Sequence, residues 1–193
     1  MMMARSKEFD VDIVLGKAMN VFWQQGYEKT SMQDLVTGMG IHKRSMYDTF
    51  GDKHTLYMKA IDRYVQNTSA NMEEQVKEAA SAKGAIRQLF ELILQMAEMD
   101  PKGCLLVNTA VELSYHDPEA AARVNEAFLD TEQLIERLLL DGQASGEISR
   151  RRPAADLAAY LHNALVGLRV MVKTTRDVNK LQGIIDTTLE VLD

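Results

Sequence analysis

Cysteine is nearly absent: Cys104 is the single one, so no intrachain disulfide framework is available, which fits a reducing, cytoplasmic setting. Proline is scarce, three in 193 residues, and that suits a chain that is helical throughout. No stretch approaches the roughly 18 consecutive apolar residues that a membrane span needs. The opening MMMARSKEFD lacks the apolar run of a signal peptide. There is no glycine-rich phosphate loop and no recognisable set of metal ligands, so neither cofactor nor metal is expected. A positive excess is missing too. The net charge is −6, which argues against general coating of nucleic acid.

What is present is ordinary for a soluble globule: 46% hydrophobic and 26% charged residues, in a chain long enough for a real core. The charge is unevenly spread. Residues 1–53 carry seven Lys/Arg and seven Asp/Glu, while the remainder carries 15 against 21.

The stretch Thr30 to Lys53, TSMQDLVTGMGIHKRSMYDTFGDK, organises the chain. Thr30 with Gln33 has capping-box spacing, which predicts a helix start. Met32, Leu35 and Val36 give that helix an apolar face. Gly38-Met39-Gly40 ends it, because glycine tolerates the left-handed conformation of a helix stop. A second helix is predicted from about His42 to Thr49, anchored by Phe50 and closed by Gly51. Asp52 then caps a third. Two short helices joined by a glycine turn form a helix-turn-helix, whose second helix fits the DNA major groove. Lys43 and Arg44 can donate to guanine, and Asp48 can accept from cytosine. His42 and Ser45 stand beside them. Thr30, Tyr47, Thr49 and Lys53 are phosphate-type donors, and Thr30 and Lys53 sit at helix starts that favour an anion. The alternative reading of the same residues is a solvated basic turn in a helical bundle.

The run Gly40 to Lys53, with Leu56 beyond it and Ala18, Phe22, Gly26-Tyr27, Thr30-Ser31-Met32 and Leu35 before it, resembles the DNA-binding domain of the TetR family of transcriptional regulators. Gly26, Thr30, Tyr47 and Phe50-Gly51-Asp52-Lys53 match recurring family positions. His42 departs, standing where the family often has a Ser or Thr cap. The resemblance implies an all-α fold: a three-helix helix-turn-helix head, residues 1–52, and a helical effector-binding and dimerisation bundle, residues 53–193. It implies operator DNA and a small-molecule effector as partners, a homodimer, and a long helix after Lys53 that transmits effector binding to the head.

The rest of the chain is read in order. Residues 1–9 form an arm carrying Arg5 and Lys7. A first helix spans about Asp10 to Gln25, with Trp23 as a core residue. Ala85 to Met99 is strongly apolar, and Asp100-Pro101-Lys102-Gly103 interrupts it. In the next helix Cys104, Asn108 and Glu112 fall on one face at i, i+4, i+8. Cys104, at a helix start beside Lys102, reads either as a reactive thiol or as an inert core residue. Glu112 and His116 have i, i+4 spacing. A rival reading is therefore a small helical enzyme using Cys104 or Glu112 with His116. Another helix runs from Asp117-Pro118 to about Leu140, and a loop from Gly142 to Arg152 ends in the basic run Arg150-Arg151-Arg152. The last two helices, Pro153 to Thr175 and Val178 to Leu192, carry the stripes Leu157, Leu161, Leu165, Leu168, Val172 and Val178, Leu181, Ile185, Thr188, Leu192. Such helices can pack on symmetry mates as a four-helix bundle, the dimer interface that the resemblance implies, and packing within one chain is the alternative.

An effector pocket needs apolar walls and sparse polar anchors. The candidates are Tyr64, Met96, Cys104, Asn108, Glu112, Phe128 and His162, with Met99, Met171, Phe90, Tyr160 and Asn163 as further lining. The expected function is sequence-specific DNA binding by a repressor that an apolar or electrophilic effector releases.

Overall fold

Asp10 opens the first helix in an extended conformation, its carboxylate accepting from the backbone N–H groups of Asp12 and Ile13. This satisfies donors that a helix start leaves unpaired. The computed structural model describes residues 9–99 and 102–193, and every regular element among them is helical. Arg5, Lys7 and the predicted break at Asp100-Pro101 lie outside the described residues.

The helices are α1 (Val11–Gln25), α2 (Met32–Met39), α3 (Lys43–Phe50), α4 (Lys53–Lys77), α5 (Ala82–Met99), α6 (Leu105–Glu112), α7 (Pro118–Ser145), α8 (Ala154–Met171) and α9 (Val178–Leu189), followed by a 3₁₀ turn (Glu190–Leu192). None is long and apolar enough to cross a membrane. Two compact units divide the chain, one ending at Tyr64 and the other beginning at Val65.

In the first unit, Val14, Ala18 and Phe22 of α1 are buried with Leu35, Met39, Met46 and Phe50. The start of α4 adds Leu56, Tyr57, Ala60, Ile61 and Tyr64. Phe22, Tyr27 and Tyr57 form a ring cluster: the Phe22 and Tyr57 centroids are 4.8 Å apart edge-on, and those of Tyr27 and Tyr57 4.9 Å. Trp23 packs edge-on against Tyr64 at 5.0 Å, in keeping with a core role. Arg63 reaches back to both the carbonyl and the carboxylate of Asp12.

In the second unit, α7 lies along α8, α5 packs on α7 and α9, and α6 rests on α7 and α8. Ile86, Leu89, Phe90 and Ile93 of α5 meet Ile135 and Leu139 of α7, the α8 leucines, and Leu181 and Ile185 of α9 in one apolar core. Burying each such side chain contributes about 1.5–3 kcal/mol before the entropic cost of ordering it. The α8 stripe Leu157 to Val172 is consumed inside this core, as are Leu181, Ile185, Thr188 and Leu192, while Val178 is exposed. These stripes therefore do not form the dimer face predicted for them.

Several boundaries differ from the sequence reading. α7 runs on through Gly142 to Ser145 and stops at left-handed Gly146, because Gly142 is buried beneath Ile148 and Ala82. α5 begins at Ala82, because Glu147 accepts from the backbone N–H groups of Ala82 and Lys83 at 2.9 Å each. Pro153 precedes α8 in an extended conformation rather than lying in its first turn. The arginine run closes the α7–α8 loop: Arg150 donates to the Gln143 carbonyl at 2.7 Å, and Gln143 donates to the carbonyls of Ser149 and Arg152.

Candidate nucleic-acid interface

The start of α2 is set one residue later than predicted. Ser31 is the cap: its hydroxyl accepts from Asp34 N–H at 3.1 Å, and the Asp34 carboxylate accepts from Ser31 N–H at 2.9 Å. The Ser31 hydroxyl, which also donates to that carboxylate at 2.6 Å, and then the Ser31 N–H hold the Asp34 carboxyl below the usual carboxylate range. Thr30 is therefore neither the cap nor a free side-chain donor. It is 1% exposed, and its hydroxyl donates to the Gly26 carbonyl at 2.5 Å, which locks the α1–α2 turn. Gln33 instead donates to Thr37.

α2 ends where Gly40 adopts φ 70°, ψ 32° and its N–H reaches the carbonyls of Val36 and Thr37. Gly38 lies against α1 so closely that a Cβ there would stand 2.4 Å from Val21 Cγ2. α3 follows after His42, which starts the helix in an extended conformation with no side-chain capping bond. Met46 and Phe50 fix the inner side of α3, being 0% and 2% exposed. The outer side carries His42, Lys43, Arg44, Tyr47 and Asp48, all exposed, with Ser45 and Thr49 half-buried at its edges.

Arg44 Nε stands 3.6 Å from Asp48 Oδ2 across one helical turn, with both side chains largely in solvent. Such a pair is worth at most about 1 kcal/mol and exchanges readily for another acceptor. Asp52 caps α4 by accepting from Thr55 N–H at 2.8 Å, and this bond is the chief reason its carboxyl sits below the ordinary value. Lys53, at the first position of α4, holds its ammonium 4.3 Å from the centre of the Tyr27 ring. A short amphipathic helix thus presents base-type donors on its solvent side, and a second helix start beside it presents a cation.

The residues predicted for an effector site are only partly brought together. Tyr64 belongs to the first unit, against Trp23. The others lie in the second. Cys104 is 3% exposed and precedes α6 as its cap residue, with no side-chain capping bond. Asn108 accepts from the Lys173 ammonium at 2.9 Å. α6 ends at Glu112, so His116 falls in the turn beyond it and does not share a helix face with Glu112. Met96 is half-buried against the core, and Met99 is 81% exposed. Tyr160 and Asn163 also face outward.

Phe128 and His162 do meet, edge to face, with centroids 5.1 Å apart. His162 Nδ1 is 3.7 Å from Glu132 Oε2, and its buried Nε2 has no hydrogen-bond partner. Burial, and then the charge of Arg169, hold this imidazole below its ordinary pKa. Sequence reasoning passed over Arg169, which is 7% exposed. The one signal for it was its seven-residue spacing from His162, which places both on one side of α8. A separate groove of about 270 Å³ between α5, α8 and α9 is lined by Leu94, Ala97, Glu98, Val172, Arg176 and Leu181 among others, and by none of the predicted effector residues.

Comparison with known proteins agrees with both units. Residues 14–59 match the family described as bacterial regulatory proteins, tetR family, and residues 82–188 match the tetracyclin repressor-like C-terminal domain. An uncharacterized HTH-type transcriptional regulator of Bacillus subtilis, YezE, is 36% identical across 99% of this chain and 100% of its own length. The HTH-type transcriptional repressor ComR of Escherichia coli is 32% identical across 97% of this chain and 90% of its own. Among solved structures, a cysteine-substituted TetR family regulator, CifR, complexed with 26-bp operator DNA, superposes with a TM-score of 0.86 at 25% identity, covering 98% of this chain and all of that one. The chain belongs to the TetR family of transcriptional regulators.

Proposed function

We propose that this regulator is a homodimeric repressor that reads operator DNA through the outer side of α3 and leaves it when the second unit binds a small-molecule effector. The observation that carries the DNA-reading assignment is the two-sidedness of α3. Met46 and Phe50 hold it in place, while Lys43 and Arg44 of its first turn stand in solvent. His42, Ser45, Tyr47, Asp48 and Thr49 flank them at base or backbone positions, and Lys53 serves a phosphate. Thr30 contributes by fixing the start of α2 rather than as a donor.

The dimer surface is the outer side of the last two helices. Ala155, Ala159, Gly167 and Val170 recur there on α8, exposed. A Cβ at Gly167 or at Gly183 of α9 would meet nothing within 4 Å, so a partner helix has room to approach. Two heads then reach two half-sites one or more DNA turns apart. The effector binds among Met96, Cys104, Asn108, Glu112, Phe128 and His162, and acts by favouring a state with lower affinity for the operator.

Fluorescence anisotropy on DNA flanking the coding region tests this. Lys43→Ala with Arg44→Ala removes two groups each worth roughly 1–3 kcal/mol of base discrimination. Specific binding is expected to fall by two orders of magnitude or more, with helicity and dimer mass unchanged. Undiminished specific binding by that variant would place recognition elsewhere.

A further inference from the structure

Arg169 and His162 lie on the same side of α8, inside the second unit, 7% and 8% exposed. Arg169 makes no hydrogen bond or ion pair with any described residue. Its five N–H donors cannot be neutralised by deprotonation. None of its nitrogens is among the fully buried unpartnered atoms, so the guanidinium keeps a narrow edge to solvent while most of the residue is buried, and a cation so confined favours a counter-ion. His162 adds a second orphan: its Nε2 is buried without a partner. Glu132 stands on the Nδ1 side of the imidazole at 3.7 Å, beyond good hydrogen-bonding distance. Lys173, one turn beyond Arg169, is engaged by Asn108.

We infer that Arg169, with His162, receives the carboxylate of a small organic acid inside the second unit, with the Phe128 ring against the acid's apolar part. The charge count selects the class. The site supplies one fixed positive charge and one neutral imidazole, with an acid nearby, so a monoanion suits it and a phosphate dianion does not. The planar fork of a guanidinium matches the two oxygens of a carboxylate. The inference rests on the effector reading above and gives that effector a chemical class.

The test uses the full chain and three acid–amide pairs: butyrate and butyramide, octanoate and octanamide, benzoate and benzamide. At least one acid is expected to raise the thermal midpoint saturably, with its amide inert. Arg169→Gln is expected to weaken the acid at least about tenfold, or about 1.4 kcal/mol. Arg169→Met, which removes the unpaired charge, should leave the ligand-free midpoint equal or higher; a marked fall would make Arg169 a structural residue and overturn the site. No response to any acid, an equal response to acid and amide, or full binding by Arg169→Gln also overturns it. If Arg169→Gln does not fold, Arg169→Lys decides: weakened acid binding supports the site, and unchanged binding overturns it. Anisotropy on the DNA complex separates the two readings. Acid that binds and leaves DNA bound refutes the effector role but keeps the site. Release by a neutral compound, with no acid effective, refutes the site but keeps the effector role.

Discussion

Gly142→Ala is expected to destabilise the second unit, against the usual rule for a glycine inside a helix. In an exposed helix the change gains about 1 kcal/mol, because alanine loses less backbone entropy. Here the new methyl would stand 2.5 Å from Ile148 Cδ1, 2.8 Å from Ile148 Cγ1 and 2.9 Å from the Cβ of Ala82. Ile148 is 2% exposed, and its N–H donates to the Gly142 carbonyl at 3.0 Å, so it cannot simply swing away. The Ala82 Cβ is fixed to the first residue of α5. Overpacking of this kind costs typically 1–3 kcal/mol. Offset by the propensity gain, the net loss is about 1 kcal/mol, or about 2–4 °C for a chain of this size. Differential scanning calorimetry reads it directly. Ile148→Val removes the atom at 2.5 Å, so Gly142→Ala should cost less in that background, a coupling measured by the double-mutant cycle. A higher midpoint for Gly142→Ala alone, or strict additivity with Ile148→Val, refutes the packing argument. DNA affinity well below the transition should not change.

Other outcomes follow from single contacts. Glu147→Gln should cost about 1 kcal/mol, the usual worth of a helix cap. Its carboxyl is held below its ordinary value of 4.5, first by the Lys83 N–H and then by Ser81. A depressed carboxyl stabilises the fold above its unfolded pKa, and that stability is lost as pH falls through the folded value. The variant should thus show a shallower loss of stability between neutrality and the acid range, seen in urea titrations at several pH values; parallel curves count against the cap. Gly40→Ala forces a side chain into a left-handed conformation at φ 70°, although the nearest atom, Lys17 Nζ, is 3.9 Å away. Strain rather than crowding sets a loss of about 1 kcal/mol, with weaker operator binding in anisotropy. Asp48→Asn frees Arg44 and removes a negative charge from the outer side of α3. Stability should change by less than about 0.5 kcal/mol, and affinity for random-sequence DNA should rise, most clearly at low salt; a fall would show that the carboxylate assists binding.

The helices were legible because their apolar residues recur at helical spacing, and the family was legible because Gly26, Thr30, Tyr47 and Phe50-Gly51-Asp52-Lys53 hold fixed positions around a glycine turn. Choices between equivalent local patterns were not. Thr30 with Gln33 and Ser31 with Asp34 both have capping-box spacing, and the structure takes the second, where a carboxylate in the first turn also faces the positive end of the helix. The Cys104, Asn108, Glu112 stripe assumed a helix that begins at Cys104, whereas Cys104 precedes α6 as its cap and Lys173 takes up Asn108. The α8 and α9 stripes suit a second copy and the same chain equally, because a single stripe cannot say whose core it enters; α5 and α7 of the same chain fill that place. Arg169 stayed hidden for the same reason. An arginine in the last turn of a helix reads as a complement to the dipole, and only the neighbours brought in by folding bury it.

On the function proposed above, two kinds of arginine let one chain separate recognition of DNA from recognition of an effector. Arg44 is exposed and weakly held by Asp48. Exchanging that carboxylate for a phosphate or a base edge costs almost nothing, so its contribution is governed by position and salt. With residues 1–53 electrically neutral, a handful of such placed donors must supply the specificity, because no broad positive field supplies affinity. Arg169 is the reverse case. It is mostly buried, and salt screens it less than an exposed side chain. Most of its surface is already buried in the free protein, so a carboxylate that reaches it gains a strong charge-assisted bond with little left to strip from that side of the pair. The chain bears the cost of the lone charge as lost stability, and an acid returns it as binding energy. That return is available only to a ligand able to place an anion beside Phe128 and His162, which makes the same unpaired charge a source of effector selectivity.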